Sequence, residues 1–445
     1  MTLLSLRFAL AQAALALLLL TPSAWAALPI ERWTHSTGAQ LYLVQSPGIP
    51  MVDVQLDFDA GDRRSPPGQT GLAGLMASAT RNGVKAASGL GALDENALGE
   101  AWADLGASFT AGAGNDRLTF SLRSLSYPDV LAQATALAAR QMGEPAFPDK
   151  LWLRDRPKVL ASIQEANTRP ATVAARAYGA AVYGGHPYGR ETTEADLNNI
   201  STADMQALHA RWVRACYARI SIVGAVNRPQ ADALVSTLLA RLPQGACAPL
   251  PPVDEVRPLV QPVEQRIAFD AAQAHVLVGQ PGIKRSSPDF FALLVGNHIL
   301  GGGGFTARLT EELREKRGLT YGVYSSFAPA LHAGAFTISL QTRPDQAQQA
   351  LDLVRSELAR FVAQGPTDKE LQAAKDNLIG GFALRIDTNR KLLDNVANIA
   401  WNDLPLDYLS TWTDQVQRIS AQDIREAFAR TLTPQTMVTI VLGGK

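Results

Sequence analysis

Ile200-Ser-Thr-Ala-Asp-Met205 opens a segment that reaches Arg211 eleven positions on, enters the apolar run Ile220 to Val223 and closes on Gly224. From Ile419 the chain does this again: Ile419-Ser-Ala-Gln-Asp-Ile424, then Arg430 at the same offset of eleven, then Ile440-Val-Leu442 and Gly443 at the same offset of twenty-four. A single recurrence about 220 residues apart marks a duplicated domain, because solenoid arrays repeat every 20 to 50 residues. Ser201 and Ser420 each precede an acidic residue by three positions, Asp204 and Asp423, which predicts helix N-caps close to a capping box.

A looser match extends the duplication. Val52 to Phe58 leading to Gly61 resembles His275 to Val278 leading to Gly282, and each is followed by a basic-serine turn and an apolar helix. Between the copies, Pro249-Leu-Pro-Pro-Val-Asp-Glu-Val-Arg-Pro258 carries neither a helical nor a strand period and reads as a linker. Residues 27–248 then form one lobe and residues 259–445 the other. Alternating strands such as Asp116 to Leu125 and Ala335 to Thr342 are interleaved with helical patterns such as Val130 to Met142 and Asp345 to Gln364. The expected fold class is α+β: two homologous lobes, each a mixed or antiparallel sheet with helices packed on one face.

Residues 1–26 read as a secretory signal, with Arg7, an apolar run from Phe8 to Leu20, and Ala24-Trp25-Ala26 as a small-x-small cleavage site. The run is shorter than the roughly 20 residues a membrane span needs, so a cleaved leader is expected and the mature chain is expected to be exported to the periplasm. Of 41 basic and 41 acidic residues, loss of Arg7 leaves one net negative charge, which points away from nucleic acid as a partner. Cys216 and Cys247 could close one disulfide in an oxidising compartment, contributing about 3 to 4 kcal/mol in the chain-entropy model, or stand as two buried thiols.

The stretch Gly61-Asp-Arg-Arg-Ser-Pro-Pro-Gly-Gln-Thr-Gly71-Leu-Ala-Gly-Leu-Met-Ala-Ser78 resembles the segment of pitrilysin/insulinase peptidases that carries the inverted zinc motif H-x-x-E-H. In that motif two histidines on one helix face hold Zn²⁺ while the glutamate activates its bound water. The matching positions here are Gly74, Ala77 and Ser78, and the family's third ligand, a glutamate on a later helix, falls on Ser162, with Asp155 at a supporting acid. A three-residue shift would offer Glu165, but one carboxylate makes no zinc site. The six histidines, at 35, 186, 209, 275, 298 and 332, include no pair at i, i+3 or i+4. His186 sits in a Gly-Gly-His-Pro-Tyr-Gly turn that the family also shows, where packing is expected.

The second lobe, by contrast, resembles the family at the positions the family keeps. Leu300-Gly-Gly-Gly-Gly-Phe-Thr-Ala-Arg-Leu309 and Leu313-Arg-Glu-Lys-Arg-Gly-Leu-Thr-Tyr321 carry the family's arginine-tyrosine pair at Arg314 and Tyr321. Thr310 to Lys316 reads as a helix ended by Gly318, and Leu319 to Phe327 as a strand, so both side chains project from a helix-to-strand corner. The four glycines, 301 to 304, read as a flexible substrate-side turn, since no P-loop lysine follows them. The resemblance implies that Arg314 and Tyr321 hydrogen-bond a substrate carbonyl, and that no metal is held by this chain. It implies a non-catalytic subunit of an exported heterodimeric zinc peptidase, whose partner supplies H-x-x-E-H and Zn²⁺ and which encloses a peptide. The alternative is a structural or peptide-binding scaffold with the corner kept only for packing.

Overall fold

The computed structural model describes residues 29–87 and 89–444. The leader, residues 1–26, lies outside them. The first half builds a six-stranded sheet from β1 (Glu31–Thr34), β2 (Gln40–Gln45), β3 (Met51–Phe58), β6 (Ser108–Ala113), β7 (Leu118–Leu125) and β8 (Arg219–Gly224), in the order β1-β2-β8-β3-β7-β6. A two-stranded ribbon of β4 (Gly83–Val84) and β5 (Leu93–Asp94) stands apart. The second half builds a five-stranded sheet from β9 (Val263–Ile267), β10 (Ala274–Pro281), β11 (Thr320–Phe327), β12 (Ala335–Thr342) and β13 (Val438–Leu442), in the order β11-β12-β10-β13-β9.

The two sheets are the same sheet made twice. β2 runs parallel to β8 and β9 runs parallel to β13, while β3 and β10 pair antiparallel with both of their neighbours. β1 is an extra edge strand of the first copy. The glycines that end the recurring segments have the same duty in both. Gly224 has φ +152° and a Cβ there would lie 2.6 Å from the Cα of Val52, and Gly443 has φ +110° with a Cβ 3.0 Å from the Cα of Ala274. At each place the last residue of the strand crosses the start of its antiparallel neighbour, where only glycine fits. The two serine N-caps are full capping boxes: the Ser201 and Ser420 N–H groups donate to Asp204 and Asp423 carboxylates at 2.8 Å each, and both hydroxyls accept in return.

Each lobe covers one face of its sheet with its own helices. In the first, Leu72–Ala79, Pro128–Gly143, Thr202–Trp212 and Arg228–Leu239 pack on Leu41, Val54, Leu56, Phe58 and Phe120. In the second, Phe290–Asn297, Ala347–Gln364 and Ala421–Thr431 pack on Val276, Val323, Phe336 and Ile338.

The opposite faces are covered by an exchange. Helix Asn389–Trp401 of the second half lays Leu392, Leu393, Val396 and Ile399 on Tyr42, Val44 and Val223 of the first sheet. Helix Pro170–Tyr183 of the first half lays Ala174, Tyr178 and Val182 on Ala335, Val438, Ile440 and Leu442 of the second. Tyr178 is fully inserted, its hydroxyl within hydrogen-bond distance of the Phe336 carbonyl (2.8 Å) and of Thr337 Oγ1 (2.9 Å). Gly279 on β10 leaves it room, since a Cβ there would lie 2.1 Å from that hydroxyl. In return Arg219 of β8 donates to the Trp401 carbonyl at 3.1 Å and pairs with Asp403 at 3.0 Å, a cation on the C-terminal end of the exchanged helix.

Residues 249–258 form no helix or strand and run between the halves. Cys216 and Cys247 are joined in a disulfide with Cα atoms 5.9 Å apart, and the Tyr217 hydroxyl donates to the Ala248 carbonyl at 2.8 Å beside it. The Gly-Gly-His-Pro-Tyr-Gly turn packs at the junction as expected. His186 accepts from the Tyr188 N–H at 3.1 Å and lies 5.2 Å, ring to ring, from His332 of the second half, while the Tyr188 hydroxyl donates to Asp116 at 2.6 Å. Among the described residues no helix is long and apolar enough to cross a membrane.

Two outcomes follow from this architecture. Leu393→Ala is expected to cost about 2 to 5 kcal/mol, as buried leucine truncations do, and to weaken hydrogen-exchange protection in β2 and β8, strands of the other half; loss confined to residues 263–442 would contradict the exchange. Titration of unfolded, non-reduced protein is expected to find no free thiol, and two thiols per chain would remove the disulfide.

Candidate functional site

The helix that carries the altered metal motif, Leu72–Ala79, starts where Gly71 turns the chain at φ +91°, with Thr192 packed so closely that a Cβ there would lie 2.4 Å from its Oγ1. Ala77 points into the core at 1% exposure. Gly74 and Ser78, four apart and so on one face, lie at its margin: space around Gly74 is open and Ser78 is exposed. Ser162 is exposed on helix Asp149–Ala166. The acids near it are already paired, Asp155 with Arg154 (2.8 Å) and Lys158 (2.9 Å), and Glu165 with Arg169 (3.4 Å). Hydrogen bonds from Arg154 hold the Asp155 carboxyl well below the usual carboxylate range. Glycine, alanine and two serines present neither imidazole nor carboxylate, so these four positions do not fit a zinc ion. Among the described residues, no group of three or more His, Cys, Asp or Glu side chains is arranged to hold a metal.

The arginine-tyrosine corner is differently built. Thr310–Glu315 forms a widened helical turn, with the Lys316 N–H reaching back to the Glu311 carbonyl at 3.0 Å. Gly318, at φ +61°, ends it, and the Gly318 and Leu319 N–H groups satisfy the Arg314 and Leu313 carbonyls at 2.9 Å each. The chain then enters β11 through a bulge. Thr320 pairs with Thr342 and Val323 with Leu340, so Tyr321 and Gly322 together oppose the single residue Gln341.

This bulge decides where Tyr321 points. Thr320, Val323 and Ser325 are buried, while Tyr321 is 84% exposed and Tyr324 58% exposed. The two tyrosines therefore share the outer face although they stand three apart in a strand, which the extra residue makes possible. Thr320 holds the bulge closed: its hydroxyl accepts from the Gly322 N–H at 3.1 Å and lies 2.6 Å from the Gln341 carbonyl it donates to. A Cβ at Gly322 would lie 3.1 Å from the Tyr324 ring, a tight contact beside the bulge.

The corner brings the two expected residues together. The Arg314 guanidinium carbon lies 4.8 Å from the Tyr321 ring centroid and 4.7 Å from that of Phe305. Beside them a cavity of about 280 Å³ is lined by Tyr321, Tyr324, His275, Leu277, Ala171 and Ala174, so one wall belongs to the helix exchanged from the first half. Burial holds the His275 imidazole below its usual range and favours its neutral form. β11 is also the open edge of its sheet.

The glycine turn differs from its reading as a flexible segment. Gly301 is buried, and a Cβ there would lie 2.6 Å from the Ser325 N; at Gly303 it would lie 2.6 Å from the His298 carbonyl oxygen. These glycines are required by close packing, and only Gly304, at φ +65° in open space, is there for its turn. The bulge could have been read from Gly322 inside a strand pattern. Phe305 and Tyr324 gave no comparable signal, because an exposed aromatic is recognised only once its neighbours are known.

Thr320→Val is expected to cost about 1 to 3 kcal/mol in urea unfolding, because it leaves the Gly322 donor and Gln341 acceptor of the bulge unpaired. A change within 0.5 kcal/mol would show that the hydroxyl does not hold the bulge.

Comparison with known proteins gives the family. Residues 199–378 match the family model described as the peptidase M16 inactive domain. The crystal structure of a peptidase M16 inactive domain from Pseudomonas fluorescens is 32% identical, with a TM-score of 0.87 over 94% of this chain and 98% of that one. The non-peptidase homolog YmxG of Helicobacter pylori is 25% identical over 387 residues, 85% of each chain. An uncharacterized zinc protease of Streptomyces coelicolor is 35% identical over 133 residues, only 29% of each chain. The periplasmic protease PqqL of Escherichia coli shares the fold at 18% identity, with a TM-score of 0.78, and this chain spans 46% of its length. The chain belongs to the M16 peptidase family, as a non-catalytic member of it.

Proposed function

We propose that this chain is the non-catalytic subunit of an exported heterodimeric zinc peptidase, contributing substrate binding and transition-state stabilisation to a partner that carries H-x-x-E-H. The observation that carries the reading is the pairing of Arg314 with an 84% exposed Tyr321 at one corner, in a chain whose four metal positions hold no ligand. A structural residue pair has no need to keep a phenol in water.

The chemistry is that of an oxyanion hole. A guanidinium and a phenol both donate, and both stabilise the negative charge that grows on a carbonyl oxygen as water adds to it. Zinc held by the partner would supply the activated water. A peptide adding as a strand to the open edge of β11 would be bound through its backbone, with little sequence preference, and would pass beside Tyr321. The twofold length of the E. coli structural neighbour supports the idea that one such chain is half of an enclosing chamber. Export rests on the leader reading of residues 1–26 and is supported by the periplasmic location stated for that neighbour. The scaffold alternative draws on the missing ligands and on the H. pylori relative named a non-peptidase homolog, and mixing with an H-x-x-E-H subunit separates the two.

The purified mature chain alone is expected to carry no stoichiometric zinc and to cleave no peptide; one Zn²⁺ per chain with chelator-sensitive hydrolysis would overturn this. Together with a zinc-bearing partner, Arg314→Ala or Tyr321→Phe is expected to lower kcat by about 10² while association and folding persist. Wild-type turnover in both variants would make the pair structural and leave the scaffold reading standing.

A further inference from the structure

Phe305 is the large apolar side chain of the glycine turn, and it stands out of the protein. Both ends of the turn are fixed: Ile299 and Leu300 are buried before it, Ala307 and Leu309 after it, and Arg308 donates to Glu370 at 2.7 Å. Gly304 then swings the chain outward at φ +65°, and Phe305 stands 69% exposed. Leaving a phenylalanine ring in water forfeits the burial that stabilises such a residue elsewhere. What the ring does touch is Arg314, whose guanidinium carbon lies 4.7 Å from its centroid.

The guanidinium is thus flanked by two rings, Phe305 and Tyr321, at nearly equal distances of 4.7 and 4.8 Å. Its ion pairing is with Glu315 alone among the described residues, at a loose 3.4 Å from Nε. A guanidinium stacked on a ring keeps its in-plane N–H groups unspent. A long arginine side chain otherwise loses much rotamer freedom when it binds, so a side chain already held in place donates at lower cost.

We propose that Phe305 is a positioning residue, whose ring holds the Arg314 guanidinium beside Tyr321 with its in-plane donors free for a substrate carbonyl. This rests on the reading of Arg314 and Tyr321 given above. The ring touches no reacting atom in this scheme and acts only through Arg314.

The test uses the mature chain, an H-x-x-E-H subunit with which it turns over a quenched fluorescent peptide, and arginine-selective NMR of the chain alone. Phe305→Ala is expected to lower kcat by about three- to thirty-fold, the range that cation–π contacts span between exposed and desolvated sites, with KM nearly unchanged. Phe305→Trp should restore the rate, and Phe305→Leu, which keeps apolar bulk without a π face, should not. In an Arg314→Ala background the Phe305 substitution should have no further effect, and the ring-current shift of the Arg314 Nε–H signal should vanish in Phe305→Ala. Rescue by leucine, multiplying losses, or an unmoved NMR signal would overturn the proposal while the Arg314 and Tyr321 losses stand. Wild-type kcat in Arg314→Ala and Tyr321→Phe would instead bring down the underlying reading and this one with it.

Discussion

The exchange of helices between the halves is the constraint on which the rest of this molecule depends. A sheet with one face buried under its own helices still has a second face of Tyr42, Val44 and Val223, or of Val438, Ile440 and Leu442, that cannot be left in water. Each half hides that face under a helix borrowed from the other, and neither sheet is complete without both. The linker, the disulfide and the His186–His332 junction add local ties, but they join surfaces that the exchanged helices already hold in register.

The exchange also reaches the candidate site. Helix Pro170–Tyr183, by lying on the second sheet, puts Ala171 and Ala174 opposite Tyr321 and Tyr324, and its small side chains leave the cavity between them. The same helix follows directly on Asp149–Ala166, which carries Ser162. The relic of the metal motif and the intact corner are therefore connected by one short stretch of chain and one packed helix. Tyr178 fastens this connection, since its hydroxyl bonds lie inside the sheet at Phe336 and Thr337, in the room that Gly279 leaves.

Much of this was legible in the residues, and what was not has a common cause. The duplication showed itself because Ile200 to Gly224 and Ile419 to Gly443 solve the same local problems, a capped helix and a strand that must cross its neighbour on a glycine. Arg314 and Tyr321 were legible through the family resemblance, whose arginine-tyrosine pair has this spacing of seven, and not from the spacing alone. Helices Pro170–Tyr183 and Asn389–Trp401, however, look like any others, and which sheet each covers is set by contacts far along the chain. The glycine turn was misread as flexible for the same reason: Gly301 is required by Ser325, and nothing local to the turn reveals that neighbour.

The helix of Gly74 and Ser78 and the corner of Arg314 and Tyr321 differ in how much structure each demands. Gly74 and Ser78 face open space, so shrinking side chains there leaves no cavity and costs the core nothing. At the corner, by contrast, Thr320, Gly318 and the close-packed Gly301 and Gly303 are committed to the turn, helix end and bulge that bring Tyr321 and Arg314 to the surface. A bulge closed by a buried hydroxyl, a widened helical turn and two exposed aromatic rings are each unfavourable compared with a regular strand end and a buried side chain. An arrangement that stability alone would not select is better explained by what it presents: a planar cation and a phenol with donors unspent, beside an open sheet edge.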